Sequence, residues 1–213
     1  MPCECCNITN EQFGKDTAEA DLKAYRRTGP AKHTRLILEA IRSLGLTDAS
    51  LLDVGGGIGA IYHELMQDTV TRATHVDASS AYLAAAKRET EKRGNGGKVE
   101  FIHADFTDVA DSLAPANVVT LDRVVCCYPD FRSLLAAAAG RSSRALVMAY
   151  PRDNRFSRAV VALMDWFLKM SRDPFRVFVH PVGEMDALLN KEGLYRVSLR
   201  RSFIWEVALY QRA

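Results

Sequence analysis

The residues best suited to chemistry in this chain are a run of glycines and the acids around it. Leu51-Leu52-Asp53-Val54-Gly55-Gly56-Gly57-Ile58-Gly59-Ala60 passes from two apolar residues through an acid into closely spaced glycines. A backbone bare of side chains lets a ligand lie directly on N–H groups. The apolar spacing beyond it suits a helix whose N-terminus faces that ligand. Asp77 closes a second apolar stretch, just before Ala78, where a carboxylate can accept both hydroxyls of a ribose. Ala104-Asp105-Phe106 sets a carboxylate beside an aromatic ring, a pair able to bond the amino group of an adenine and pack on its face. Gly55-x-Gly57-x-x-Ala60 also satisfies the dinucleotide pattern, so the turn alone leaves NAD and other adenosyl ligands open. Asp53 stands where a nicotinamide-binding strand ordinarily carries an apolar residue; it either orders the turn or receives a ligand ammonium group.

Other reactive side chains cluster later. Cys126 and Cys127 follow a strand pattern and are either small buried hydrophobes or contacts for a soft, thiol-reactive substrate. In the second case Cys3, Cys5 and Cys6 are positioned to fold over the site. Cys-x-Cys-Cys does not match a four-ligand zinc spacing, so no metal is expected. His180 is a candidate general base, set against the reading of a loop histidine with satisfied hydrogen bonds. Tyr128 either contacts acceptor or cofactor or simply packs before Pro129. Arg152, Arg155 and Arg176 are candidates for holding a substrate carboxylate or phosphate, because a planar guanidinium binds such groups bidentately. His33, His63, His75 and His103 fall on helix or strand patterns and read as structural.

The elements that must position these residues alternate strand with helix. Strands are expected at 51–54, 73–76, 99–103, 118–121 and 145–149, with helices at 58–67, 79–93, 130–139 and 155–170. Such alternation requires right-handed crossovers and a parallel sheet covered on both faces. Two amphipathic helices within 16–44 precede it. After an extended segment at 175–179 and a short helix at 183–190, runs at 195–200 and 203–210 read as an antiparallel hairpin at the sheet edge. Residues 1–14 read as a flexible arm and 15–213 as one domain.

Composition sets limits. With 48% hydrophobic and 25% charged residues the chain reads as an ordinary globular domain, and no apolar run is long enough to span a bilayer. The N-terminus has no basic start or apolar block, so a cytoplasmic protein with reduced thiols is expected. The net charge of +2 hides a division, +7 over residues 123–213 against −5 before them. The arginines are scattered rather than clustered, which disfavours a nucleic-acid groove and leaves an anionic substrate or a solvated basic face.

Taken in order, these motifs resemble the class I S-adenosylmethionine-dependent methyltransferases. Residues 53–59 look like their glycine loop, Asp77 their ribose-binding acid, Asp105-Phe106 their adenine contact, and Leu121-Asp122 the segment that meets the methionine portion. The resemblance spans roughly residues 36–209. It implies a Rossmann-like α/β fold: seven strands, mostly parallel, the last two forming the hairpin. It also implies S-adenosyl-L-methionine as cofactor and a small-molecule methyl acceptor. By the same analogy Tyr25 and Arg26 close over the cofactor and engage its carboxylate. The segment 121–129 resembles small-molecule members, including magnesium-protoporphyrin O-methyltransferases, but Cys127 stands where a histidine is commoner. A noncatalytic binder of the cofactor is the alternative, and an NAD-dependent oxidoreductase the third reading.

Overall fold

The computed structural model describes residues 12–170 and 175–213. Cys3, Cys5, Cys6 and the rest of the expected arm before Gln12 lie outside them. Two helices, α1 (Lys15–Thr28) and α2 (Lys32–Arg42), lead into β1 (Ala49–Val54), α3 (Ala60–Leu65), β2 (Val70–Asp77), α4 (Ser80–Lys92) and β3 (Val99–His103). Then come α5 (Phe106–Val109), β4 (Ala116–Asp122), a 3₁₀ turn (Val125–Cys127), α6 (Phe131–Arg141) and β5 (Ser142–Pro151). The chain closes with α7 (Arg155–Met170), α8 (Val182–Lys191), β6 (Leu194–Arg201) and β7 (Trp205–Arg212). Among the described residues no helix is long and apolar enough to cross a membrane.

The strands form a seven-stranded sheet in the order β3-β2-β1-β4-β5-β7-β6. The first five run parallel, and β7 pairs antiparallel with both β5 and β6. Leu51, Leu52 and Val54 are all buried, as a strand covered on both faces requires. One face packs Phe131, Leu134 and Leu135 of α6 with Met185 and Leu189 of α8. The other packs Ile37, Leu38 and Ile41 of α2 with Ile61 and Leu65 of α3. Each such side chain stabilises the fold by about 1.5–3 kcal/mol over leaving it exposed. The chain winds outward from β1 through β2 to β3 on one side and from β4 to β5 on the other. The strand order therefore reverses between β1 and β4, and a crevice opens at their carboxyl ends.

Three expectations shift. Strand β2 begins at Val70 rather than at residue 73, because exposed Thr71 and Arg72 hide the pattern of a strand that already pairs with β1 at Ala49. Strand β7 begins at Trp205, because the Ser202 N–H donates to Trp205 O at 2.8 Å and draws Phe203 and Ile204 into the hairpin turn. Strand β5 starts at Ser142, directly after α6, with no loop between.

Helix α1 seats Ala18, Leu22 and Tyr25 against Tyr82 and Ala85. It is locked by Glu89 of α4, whose Oε2 accepts from Arg26 Nη2 at 2.6 Å and from Arg26 Nε at 2.8 Å, while Oε1 accepts from Arg93 Nε at 2.9 Å. Burial pushes the Glu89 carboxyl up, but the hydrogen bonds from Arg26 and Arg93 outweigh it and hold the group below the usual carboxylate range. Glu89→Ala should therefore lower stability by about 1–3 kcal/mol; the range sits below that of a fully buried pair because Arg26 is partly solvated. Since the folded value lies below the unfolded one, this stabilisation is complete above the ordinary carboxylate range and is lost as pH falls through the depressed value. Denaturant midpoints of wild type and Glu89→Ala should differ at pH 7 and converge in acid.

Candidate functional site

The crevice is a cavity of about 670 Å³ bounded by the ends of β1, β2 and β4, the loop after β3, helix α1 and the segment after α7. Gly55, Gly56, Gly57, Asp77, Ala78, Ala104, Asp105, Phe106 and Asp122 all line it, so four separate sequence motifs converge. Gly55 has φ 59° and accepts no side chain without a clash, since a Cβ there would stand 2.5 Å from Val124 Cγ2. Its N–H donates to Val76 O at 2.7 Å, which draws the turn back onto β2.

Asp53 lies beneath the loop and does not line the cavity. It is fully buried: Oδ1 accepts from Thr120 Oγ1 at 2.6 Å, and Oδ2 stands 2.3 Å from where a Gly56 Cβ would be. Of the two roles open to it, the geometry therefore realises ordering of the turn. Burial pushes its carboxyl up to about 7, against the Thr120 hydrogen bond and with a further push from Asp122 and Asp77. Oδ2 has no hydrogen-bond partner among the described residues, and the same holds for both ring nitrogens of His75 nearby. Burial lowers His75 to about 3 and, with Arg93 beside it, His63 to about 4, so both imidazoles are neutral at pH 7.

Asp77 bridges two segments: Oδ2 accepts from the Gly57 N–H at 2.9 Å and Oδ1 from the Ser79 N–H at 2.8 Å. Asp105 caps α5, its Oδ1 accepting from Thr107 N and Oγ1, and Tyr128 OH reaches both of its carboxylate oxygens, at 3.1 and 3.0 Å. Tyr128 is thus held in place by the Asp105 motif that the sequence left separate from it. Asp122 Oδ2 accepts from Thr34 Oγ1 at 2.7 Å, and its Oδ1 lies 3.4 Å from His33 Nε2.

Cys126 and Cys127 both line the cavity, with their sulfurs 3.7 Å apart and both thiols directed at Arg123 O. The hydrogen bond Cys126 makes to Cys127, together with burial, pushes the Cys126 thiol up; the same bond lowers Cys127. Arg123 itself has a left-handed backbone, φ 64°, and lines the cavity.

Other expected residues sit elsewhere. Gly59 and Leu121 support the site from below without lining it. Tyr25 does line it, yet its hydroxyl donates to Glu64 Oε1 at 2.7 Å. Arg26 pairs with Glu89 and does not line the cavity. His180 is also outside the lining: its Nε2 lies 3.1 Å from Tyr128 O, and its ring packs on Phe131 and Phe178. Burial holds its pKa below the ordinary value. Its ring is thus held against the Tyr128 turn, outside the cavity lining. Arg152 approaches Glu206 at 3.8 Å, Arg176 Nη1 bonds Phe175 O, and Arg155 opens α7 in solvent; none lines the cavity.

Sequence reasoning missed Phe13, Phe175, Val177 and Trp205, which close the outer part. Phe13 meets Phe175 edge-on with ring centroids 5.6 Å apart, and Tyr82 at 5.9 Å. No local pattern marks these residues, because each partner is distant in the chain.

The raised value at Asp53 fixes a sign. The unfolded chain releases this proton near pH 4 and the folded chain near 7, so its contribution to stability falls as pH rises between them. Asp53→Asn, which keeps an acceptor for Thr120, should leave stability near wild type at pH 4 and exceed it at pH 8 by up to about 4 kcal/mol. Denaturant midpoints at the two pH values check this; equal midpoints at pH 8 would refute it.

Residues 51–145 match the model of a family described as a methyltransferase domain. No curated protein sequence matches the chain. Among solved structures, the magnesium protoporphyrin IX methyltransferase of Synechocystis PCC 6803, with bound S-adenosylhomocysteine, is similar at 15% identity and TM-score 0.73, covering 99% of this chain and 100% of that one. The N-methyltransferase NodS of Bradyrhizobium japonicum WM9, also in complex with S-adenosylhomocysteine, gives 14% identity and TM-score 0.67 over 93% of this chain and 97% of that one. An O-methyltransferase family 2 protein of Planctomyces limnophilus, in complex with apigenin, gives 21% identity and TM-score 0.69 over 93% of this chain and 62% of that one. The family match covers less than half of the chain, and the solved structures add that the chain carries the fold of S-adenosylmethionine-dependent methyltransferases.

Proposed function

We propose that this enzyme transfers the methyl group of S-adenosylmethionine to a small-molecule acceptor held in the outer part of the same cavity. The observation that carries the reading is the convergence of the glycine loop, Asp77, Asp105-Phe106 and Asp122 on one crevice at the strand-order reversal. The residues fit the cofactor. Bare glycine backbone admits its methionine and ribose portions, Asp77 retains acceptor capacity for the ribose hydroxyls, and Phe106 offers a face to the adenine. The charge balance fits too: among the described lining residues four are acids and one is an arginine, a poor bed for the pyrophosphate of NAD. When bound, the cofactor supplies an electrophilic methyl group whose leaving atom needs no protonation.

The chain's own contribution is then alignment and exclusion of water. Phe13 and Phe175 meet across the cavity mouth, from segments before α1 and after α7, and Val177, Trp205 and Tyr128 line the space beneath. A roof of this kind favours a compact, partly apolar acceptor over a macromolecule. Tyr128, fixed by Asp105, directs its ring at that space, and no base is required unless the acceptor must lose a proton.

Calorimetric titration with S-adenosylmethionine and, separately, with NAD tests the cofactor. Binding of the first alone is expected, and tight binding of NAD alone would overturn the reading. Formation of S-adenosylhomocysteine with an acceptor from a panel of small phenols, carboxylates, amines and thiols is the expected turnover; binding without turnover across the panel favours a noncatalytic binder. Asp77→Ala should weaken S-adenosylmethionine binding by at least about tenfold, since it removes the acceptor for the ribose and the anchor of the Gly57 N–H together.

A further inference from the structure

We propose that Arg123 is the carboxylate-binding residue of this cavity, an inference that rests on the methyltransferase reading and deepens it. Arg123 is the one cation among the described lining residues, set among Asp21, Asp77, Asp105 and Asp122. Each of those acids already accepts hydrogen bonds nearby, from Tyr82, from Gly57 and Ser79, from Thr107 and Tyr128, and from Thr34. The guanidinium is different. The acid closest to it is Asp122, with Nε to Oδ1 at 3.9 Å, beyond hydrogen-bond reach, and the side chain is half exposed toward the cavity.

Its backbone is built to aim it. Arg123 occupies the left-handed region at φ 64°, which is strained for a non-glycine residue and persists only where surrounding bonds impose it. Here the N–H donates to Ala149 O at 3.1 Å, while the C=O accepts from Cys126 Sγ at 3.2 Å and lies 3.6 Å from Cys127 Sγ. The two cysteines thereby gain a role as the clamp of this turn. By contrast Arg152 and Arg176, the arginines the sequence singled out near the sheet end, lie outside the cavity lining, the first 3.8 Å from Glu206 and the second bonded to Phe175 O.

A planar fork held only by a loose ion pair to Asp122, among the described residues, in an otherwise acidic crevice suits a carboxylate. Two sources of that group exist: the amino-acid end of the cofactor, whose ammonium suits the acids nearby, and an acidic aromatic acceptor under the Phe13 and Phe175 roof. The chemistry is shared, and the experiment separates the sources.

Calorimetry on full-length wild type, Arg123→Lys and Arg123→Gln, each checked for an unchanged melting temperature, uses three probes. These are S-adenosylhomocysteine, 5′-methylthioadenosine, which lacks the amino-acid portion, and 4-hydroxybenzoate titrated into protein saturated with S-adenosylhomocysteine. If the carboxylate is the cofactor's, Arg123→Gln weakens S-adenosylhomocysteine about 10- to 100-fold, Arg123→Lys weakens it less, and methylthioadenosine is unaffected. If it is the acceptor's, S-adenosylhomocysteine binds all three proteins alike and 4-hydroxybenzoate binding is lost in Arg123→Gln. Wild-type affinity of Arg123→Gln for both carboxylates overturns the proposal. A wild-type chain that binds no S-adenosylhomocysteine sinks the methyltransferase reading instead. The aromatic carboxylate titrated into the free protein then decides Arg123 alone, with binding that does not depend on Arg123, or no binding, counting against it.

Discussion

Asp77 accepts from the Gly57 N–H with one carboxylate oxygen and from the Ser79 N–H with the other, and most of the cavity depends on that bridge. One bond fixes the glycine loop at the end of β1; the other organises the start of α4, where Ser79 caps the helix through Tyr82 N. Because the bridge joins two crossovers, the loop cannot tilt without disturbing the helix that carries Tyr82 and Glu89. Glu89 in turn holds α1 through Arg26, so the wall of the cavity opposite the sheet is tied to the same helix. Burial raises the Asp77 carboxyl while its two backbone hydrogen bonds lower it, with burial prevailing.

How much of this was legible follows from which residues act through backbone and which through partners. That the glycine loop, Asp77, Asp105-Phe106 and Asp122 meet at one crevice could be read in sequence because each stands at a strand end, and strand ends follow from apolar runs. The strand–helix alternation and the terminal hairpin were legible for the same reason, whereas the seven-strand count rested on the family resemblance and the strand order is known from the structure. Arg26, His180 and Arg152 were not, since an arginine or histidine on a helix or loop has many possible neighbours. Tertiary packing chose Glu89, the Tyr128 carbonyl and Glu206 for them. Phe13 and Phe175 meet across more than 160 positions of sequence, a separation that no local pattern encodes. Arg123 gave no signal either, because its left-handed turn arises from bonds to Ala149, Cys126 and Cys127 together.

The division of charge along the sequence also resolves once partners are known. The excess of arginine after residue 122 leaves two readings, a solvated basic face and an anion held near the C-terminal half. Yet Arg132, Arg196, Arg200 and Arg201 are engaged with Glu184, Asp186, Glu39 and Glu206, pairs that stitch α6, β6 and β7 to their surroundings. Exposed pairs of this kind contribute little individually, about 0–1 kcal/mol, but they occupy the guanidinium groups. What remains facing the cavity, among the described residues, is a single arginine amid carboxylates, so the anion-binding capacity they give the site is narrow and directional.

That narrowness bears on how an adenosyl ligand and an acceptor can share one crevice. The Tyr128 hydroxyl, the Asp105 carboxylate and Thr107 form one hydrogen-bonded cluster, in which Thr107 Oγ1 lies 2.8 Å from the hydroxyl. Asp105 belongs to the adenine side of the proposed site and Tyr128 to the acceptor side. On that proposal, a ligand filling the first would restrain the ring that shapes the second. His180 adds to this restraint from behind, through its contact with the Tyr128 carbonyl and its packing on Phe131. A displacement that depends on alignment rather than on an acid or base gains from such a link, because the order imposed by the first ligand is delivered to the wall against which the second must lie.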